Sequence, residues 1–444
     1  MADPHTLSAT EAALRIREGR LSSVDLVKSC LKRISETEEA LKAWACLDEE
    51  KALAQAEEAD RIRKSGKPVG ALHGVPVALK DIIDTKDMPT ERGTPICKGR
   101  QPEADAALVE RLIDAGAVIM GKTVTTEFAF VHANETRNPH NPEHSPGGSS
   151  SGSAATVAAL GVPLAVGTQT NGSVIRPASF CGTYGFKPTR GVISRRGLLQ
   201  TSISLDQVGC FGRTLEDVAL LTDVIAGYDP TDTLSYPRPR PAMLAGARAE
   251  APVEPSLLWF DMPYNDRLSE DAAEGLAAVT DILGARVERS EASPNLSDLV
   301  EVQRIIHEYE IVHHLADVFE DHWERISPTL QPVIERGRAI TDAQYEDAVN
   351  VKTSADLFFT DLFNDFDAII APAAPGEAPR FGDGTGDPIF STIWTLAGLP
   401  CVTLPLLVGE TGLPIGVQLI AGQEEDDRLL RTAAWLEKEI QAAA

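Results

Sequence analysis

The chain has 444 residues, 43% of them hydrophobic, which is enough for a large buried core and fits either two to three domains or one large α/β enzyme. Its formal net charge of −25 argues against a polyanionic partner: nucleic acid and anionic membrane surfaces repel such a chain, and the only basic cluster is the short Arg195-Arg196 pair. The six cysteines form no C-x-x-C pair, no export signal opens the chain, and no apolar run reaches the ~18 residues of a membrane span, so a cytoplasmic protein with reduced thiols and no membrane partner is expected.

Residues 1–66 read as an N-terminal helical layer. Ser8-x-x-Glu11 and Ser22-x-x-Asp25 have the form of capping boxes, and Val24, Val27, Cys30, Leu31 and Ile34 fall on one helix face. Gly66-Lys67-Pro68 ends the layer. The run LHGVPVALKDII then predicts a core strand with Lys80 inside it. Such a lysine either snorkels from a strand end or serves chemistry.

Residues 104–123 read as helix, break and strand. Gly116 to Thr123 matches the phosphate-loop pattern G-x-x-x-x-G-K-[ST], but the apolar residues between its glycines are themselves the strand, and Val124-Thr125-Thr126 is a poor helix start, so the match is rejected. Short strands and turns follow around 187–209, then a helix over 214–226, and a proline-rich surface loop over 229–256. Residues 295–366 predict a helical layer or lid, and 367–444 return two strands, 368–372 and 416–420, to the sheet. With 70–225 as the catalytic core, the expectation is a single α/β/α domain in which a central twisted mixed β-sheet is covered by helices on both faces.

Two serine turns bracket the apolar run of 154–166, which is long enough to cross a core as helix then strand and to fold its ends together. The first turn is PGGSSSG, with Ser149 and Ser150; the second is GTQTNGS, ending at Ser173. In the second, the successive backbone N–H groups of Thr170, Asn171, Gly172 and Ser173 can point one way and hold a developing oxyanion, worth roughly 2.7–4 kcal/mol per donor. The alternative is a pair of glycine-serine loops with no chemistry. A serine hydroxyl is a poor nucleophile without a base. No histidine is placed for that task, but a lysine among Val77, Ala78, Leu79 and Ile82 is kept neutral by burial, and Ser149 would bridge it to Ser173. Cys181 reads as a small buried hydrophobe or a reactive thiol. The nine histidines show no metal spacing; His140, His144, His313 and His314 suit solvated or capping roles.

With GVPVALKD, GKTVTTEFAF, TRNPHNPEHSPGGSSSGSAATVAA, GTQTNGSVIRPASFCG, GFKPTRG and GLPIGVQLIAG in this order, the chain resembles the amidase signature family over nearly its whole length. The resemblance implies an amidohydrolase acting on non-peptide amide carbon–nitrogen bonds, with carbamates and ureas open to the same chemistry. Its Ser-Ser-Lys triad would be Lys80 as base, Ser149 bridging through a cis peptide bond to Gly148, and Ser173 as nucleophile of an acyl-enzyme, with Ser150 structural. Gln169 and Asn171 stand where the family usually has Asp and Gly. The backbone oxyanion donors survive both changes.

The substrate pocket is expected from Glu127, Phe128, Ala129 and Phe130 through His132, from the loop 197–206, and from the helical layer after Ser297. If 127–130 is a strand, Phe128 and Phe130 share a face. No cofactor and no metal are called for. The expected partner is a small-molecule amide, with no nucleic acid, and any oligomer is expected to be a homodimer. A second reading is the A-type subunit of a glutamine-dependent tRNA amidotransferase, which shares this fold and triad.

Overall fold

The computed structural model describes residues 3–239 and 242–443. Its centre is one mixed sheet of eleven strands: β1 Trp44–Leu47, β2 Pro76–Lys80, β3 Val118–Thr123, β4 Leu164–Gln169, β5 Tyr184–Lys187, β6 Gln207–Gly212, β7 Leu257–Asp261, β8 Val287–Glu291, β9 Ala368–Pro372, β10 Cys401–Val408 and β11 Pro414–Ile420. Their order across the sheet is β1-β3-β2-β4-β6-β5-β10-β11-β9-β7-β8. The β2/β3, β2/β4, β7/β8 and β7/β9 pairs are parallel and the remaining pairs antiparallel. This is the expected single α/β domain with a large mixed sheet flanked by helices. Strands β2, β3, β4, β6 and β9 are buried at every position, which is why they read as continuous apolar runs rather than alternating ones.

The N-terminal caps form as single bonds: Ser8 and Ser22 side chains accept from the backbone N–H groups of Glu11 and Asp25. The first sixty residues are not wholly helical, because Trp44–Leu47 adds an edge strand beside β3. The rejected phosphate-loop match lies in β3, with Gly121 and Lys122 inside the strand. The proline-rich stretch of 229–256 carries a short helix, Met243–Arg248, whose first N–H groups donate to Asp223. Two strands near the C-terminus become three. Strand β10 carries Pro405, a residue that argues against a strand, and its pairing with β11 is irregular between Leu404 and Leu407, where the proline sits.

The segment whose alternation left a strand open at 127–130 is not one: Glu127–Ala129 makes a single 3₁₀ turn, with Phe128 at φ 48° and Ala129 at φ 59°. The unusual backbone is held by tertiary contacts. Phe128 N–H donates to Arg92 O at 2.9 Å, Thr126 Oγ1 donates to Phe130 O at 2.9 Å, and the fully buried Phe128 ring meets Phe319 edge-on.

Candidate active site

Strand β2, third from one edge of the sheet, ends on Lys80, whose side chain is fully buried. Its Nζ donates to Ser149 Oγ at 2.6 Å and to Thr168 Oγ1 at 2.9 Å. Burial lowers the Lys80 pKa to about 7, an effect that the Asp206 carboxylate partly opposes. At neutral pH a large fraction of this lysine is therefore the free amine, the form that can take a proton.

The first serine turn leads into the helix Ser151–Ala158, and the Gly148-Ser149 peptide bond is cis. Ser150 Oγ donates to Thr168 O and accepts from Thr168 N–H, so it fixes the end of β4 that presents Thr168 to the lysine. Arg176 reaches across from the helix Ile175–Cys181 and donates through Nη2 to Gly148 O at 2.8 Å and to Thr385 Oγ1 at 3.1 Å. One guanidinium thus ties the two serine turns together.

The second turn follows β4 directly. Ser173 is half-buried, and its Oγ has no hydrogen-bond partner among the described residues. The structure thus joins Lys80 to Ser149 but shows no hydrogen bond from Ser149 to Ser173. Among the described residues the backbone N–H groups of Asn171, Gly172 and Ser173 also donate to nothing, which leaves them free for a ligand oxygen. The turn is held by side chains instead. Gln169 Oε1 accepts from Val174 N–H at 2.8 Å and Ile175 N–H at 3.0 Å, satisfying the open end of the following helix. Asn171 is held through its side chain by Gln303 and Thr392. Asp206 accepts from Thr170 Oγ1 and from the Thr201 and Ser202 N–H groups, which fastens the loop after Gly197 to the same turn.

The expected pocket residues part company. A cleft of about 560 Å³ opens beside Gly147, lined by Val131, His132, Asn134, Ser145, Thr329 and Phe381. Glu127 and Phe128 do not border it. The Glu127 carboxylate turns inward to accept from Ser327 N–H and Thr94 Oγ1. Ala129 lines a separate small cavity with Thr168, Thr170, Leu198, Thr201 and Asp206, and the Phe130 ring lies 4.3 Å from the His307 ring. Cys181 is an inert packing residue: burial pushes its thiol pKa up, and Sγ donates to Pro146 O. His140, His144 and His313 each pair a ring nitrogen with a backbone carbonyl. Among the described residues no group of three His, Cys, Asp or Glu is arranged to hold a metal ion, and no helix is long and apolar enough to cross a membrane.

Sequence reasoning missed Thr168, Arg176, Asp206, Gln303 and Thr395. Arg176 had a local signal, a charged residue inside an apolar helix. The others are polar residues whose neighbours come from distant parts of the chain.

The pattern of the Amidase family matches residues 25–430. The chain belongs to the amidase family. It is accordingly an enzyme of amide carbon–nitrogen bonds, in a family where a serine nucleophile is typical. Among curated proteins it is 34% identical to the A-type chain of the glutamyl-tRNA(Gln) amidotransferase of Chloroflexus aurantiacus, over 97% of this chain and 96% of that one. Among solved structures it is similar to one from a study of a vestigial protein complex and the evolutionary origins of an s-triazine catabolic enzyme, with TM-score 0.92 and 30% identity over 97% and 98% of the two chains. It is also similar to 6-aminohexanoate cyclic dimer hydrolase complexed with substrate, with TM-score 0.87 and 27% identity over 99% and 98%.

The relatives correct one expectation. Net charge argues against a nucleic-acid partner, yet an amidase-family protein similar over almost the whole chain belongs to an enzyme named for a tRNA. The exclusion fails because net charge describes the whole surface, whereas binding depends on a local patch or on what an associated protein supplies.

Proposed function

We propose that this amidase hydrolyses a small amide through a Ser-Ser-Lys relay and an acyl-enzyme. The observation that carries the reading is the fully buried Lys80, its pKa lowered by burial to about 7, with its Nζ 2.6 Å from Ser149 Oγ. In the proposed mechanism Ser173 Oγ attacks the amide carbonyl carbon and passes its proton through Ser149 to Lys80. The tetrahedral oxyanion is received by the free N–H groups of Asn171, Gly172 and Ser173. The proton then returns by the same route to the departing nitrogen, and the carbon–nitrogen bond breaks. Water enters along the same relay, adds to the acyl carbon, and releases the acid and Ser173. Carbamates and ureas offer the same electrophilic carbon and fall within the reach of this chemistry. Similarity to a hydrolase of a cyclic dimer supports a small substrate.

The test is turnover by Ser173→Ala on a panel of anilides, aliphatic amides, carbamates and ureas. Loss of all hydrolysis with an unchanged thermal transition is expected, and full activity of the variant would refute the reading. Similarity to an amidotransferase component favours a second reading, in which the same site releases ammonia from glutamine for transfer within a larger assembly. Glutaminase activity that appears only when partner proteins are co-expressed would decide for it.

A further inference from the structure

We propose that Gln303 and Thr395 are positioning residues that aim the backbone N–H groups of Asn171 and Gly172 at the substrate's carbonyl oxygen. The proposal rests on the amide-hydrolysis reading above. A trans peptide unit is planar, so its C=O and N–H point in opposite directions, and fixing one fixes the other. Only the Gly148-Ser149 bond is cis among the described residues, so the units 170–171 and 171–172 obey this rule. Gln303, 3% exposed on the helix Pro294–His314, donates through Nε2 to Thr170 O at 3.1 Å. Thr395, fully buried on the helix Ile389–Leu396, donates through Oγ1 to Asn171 O. The two carbonyls are thus pinned from two different helices, and the two N–H groups, which have no partner of their own among the described residues, are left pointing the other way.

The amide orientations in the clamp follow from atoms that can play only one part. Backbone N–H groups of Val174 and Ile175 only donate, so the Gln169 atom facing them is Oε1 and the atom facing Thr395 Oγ1, at 2.9 Å, is Nε2. Thr395 Oγ1 therefore accepts from Gln169, and its one hydrogen faces two carbonyls, Asn171 O and, at the longer distance of 3.0 Å, Ser391 O of its own helix. Thr170 O only accepts, so Gln303 faces it with Nε2 and uses Oε1 to accept from Asn171 Nδ2 at 3.3 Å. Asn171 Oδ1 is then left to accept from Thr392 Oγ1 at 2.7 Å. Gln169 and Asn171, the two residues that depart from the usual family turn, are the members through which the clamp closes. Donors held in place before reaction lose nothing to reorganisation when charge develops, which is where their catalytic value lies.

The experiment compares Thr395→Val, Thr395→Ser and Gln303→Leu with wild-type enzyme. Each is assayed for kcat and KM on an acyl 4-nitroanilide that the wild type turns over, for inhibition by phenylboronic acid, which forms a tetrahedral adduct on a serine hydroxyl, and for its thermal transition. The expectation is a fall in kcat of about 10- to 100-fold for Thr395→Val and Gln303→Leu, less than removal of a donor outright. KM should hold while phenylboronic acid inhibition weakens in parallel with kcat, and Thr395→Ser should restore both. Wild-type kcat in Thr395→Val or in Gln303→Leu would overturn the proposal, as would a Thr395→Ser variant as impaired as Thr395→Val. An active Ser173→Ala enzyme would instead strike at the serine reading itself, so the two failures are separable.

Discussion

The Nζ of Lys80 and the Oγ of Ser149 lie 2.6 Å apart in the protein interior, although 69 residues separate them in the chain. Because burial lowers the Lys80 pKa to about 7, the proton-accepting amine grows as pH rises through that value. Turnover should therefore climb from acid and level off above about pH 7 to 8. Lys80→Ala should lose about 10²–10⁴-fold in kcat together with this ascending limb, and Ser149→Ala should lose less if a water takes the place of the bridging hydroxyl. Esters, which have the better leaving group, should tolerate both variants better than matched amides. The measurement is the pH–rate profile of each variant on an ester and its amide. An unchanged limb in Lys80→Ala would make the lysine a structural residue.

Removing Gln169 should cost stability as well as rate. Gln169→Ala strips the Val174 and Ile175 N–H groups of their shared acceptor inside the protein, and a buried unsatisfied donor costs about 1–3 kcal/mol. A lowered midpoint in urea is expected. A midpoint equal to that of the wild type would mean that the helix finds another acceptor.

Lys187 gives a pH signature of its own. It is fully buried, donates to Gln207 Oε1 at 2.6 Å and to Leu399 O, and burial lowers its pKa from 10.5 to about 8. Between about pH 8 and 10.5 the unfolded chain holds this proton more tightly than the folded one, so this group's contribution to stability rises with pH across that window and is level below it. Relative to wild type, Lys187→Met should therefore be at its most stable below pH 8 and lose ground steadily up to pH 10.5. The lost hydrogen bonds add a constant offset. Urea midpoints of the two proteins from about pH 7 to 10.5 read the slope, and parallel curves would contradict it.

Arg195 and Asp232 form an almost wholly buried ion pair, with Arg195 Nη2 2.7 Å from Asp232 Oδ1 and Arg195 N–H 2.7 Å from Oδ2. Arg195→Ala leaves the carboxylate buried without its cation, a change that costs about 3–5 kcal/mol. Arg195→Lys keeps the charge but not the planar fork and should fall between the two. Chemical denaturation of the three proteins checks the order. An alanine variant as stable as wild type would mean that solvent reaches Asp232.

The expected helices and strands that formed as read are those whose signal is local. Thr214 caps the helix Leu215–Ile225 through its own side chain, and the apolar run after the first serine turn divides into the helix Ser151–Ala158 and strand β4. What the sequence left open or hid depended on distant partners. Phe128 and Phe130 alternate as strand residues do, but contacts from Arg92 and Phe319 hold this segment as a turn. Pro405 disguised β10, which pairs on both sides with β5 and β11.

By itself the sequence determined the parts of this amidase: a lysine forced into a buried apolar strand, two glycine-framed serine turns, and an apolar run able to bring the turns together. These are properties of neighbouring residues, since burial of a strand and the freedom of glycine act within a few positions. Tertiary structure alone decided how the parts are held. Thr168 accepts one of the lysine's hydrogen bonds, Arg176 joins the turns, Asp206 tunes the lysine and anchors a loop, and Gln303 and Thr395 hold the second turn from helices far along the chain. A hydrogen bond between side chains remote in the chain leaves no periodicity in the sequence, because its geometry exists only after the sheet has set the distance.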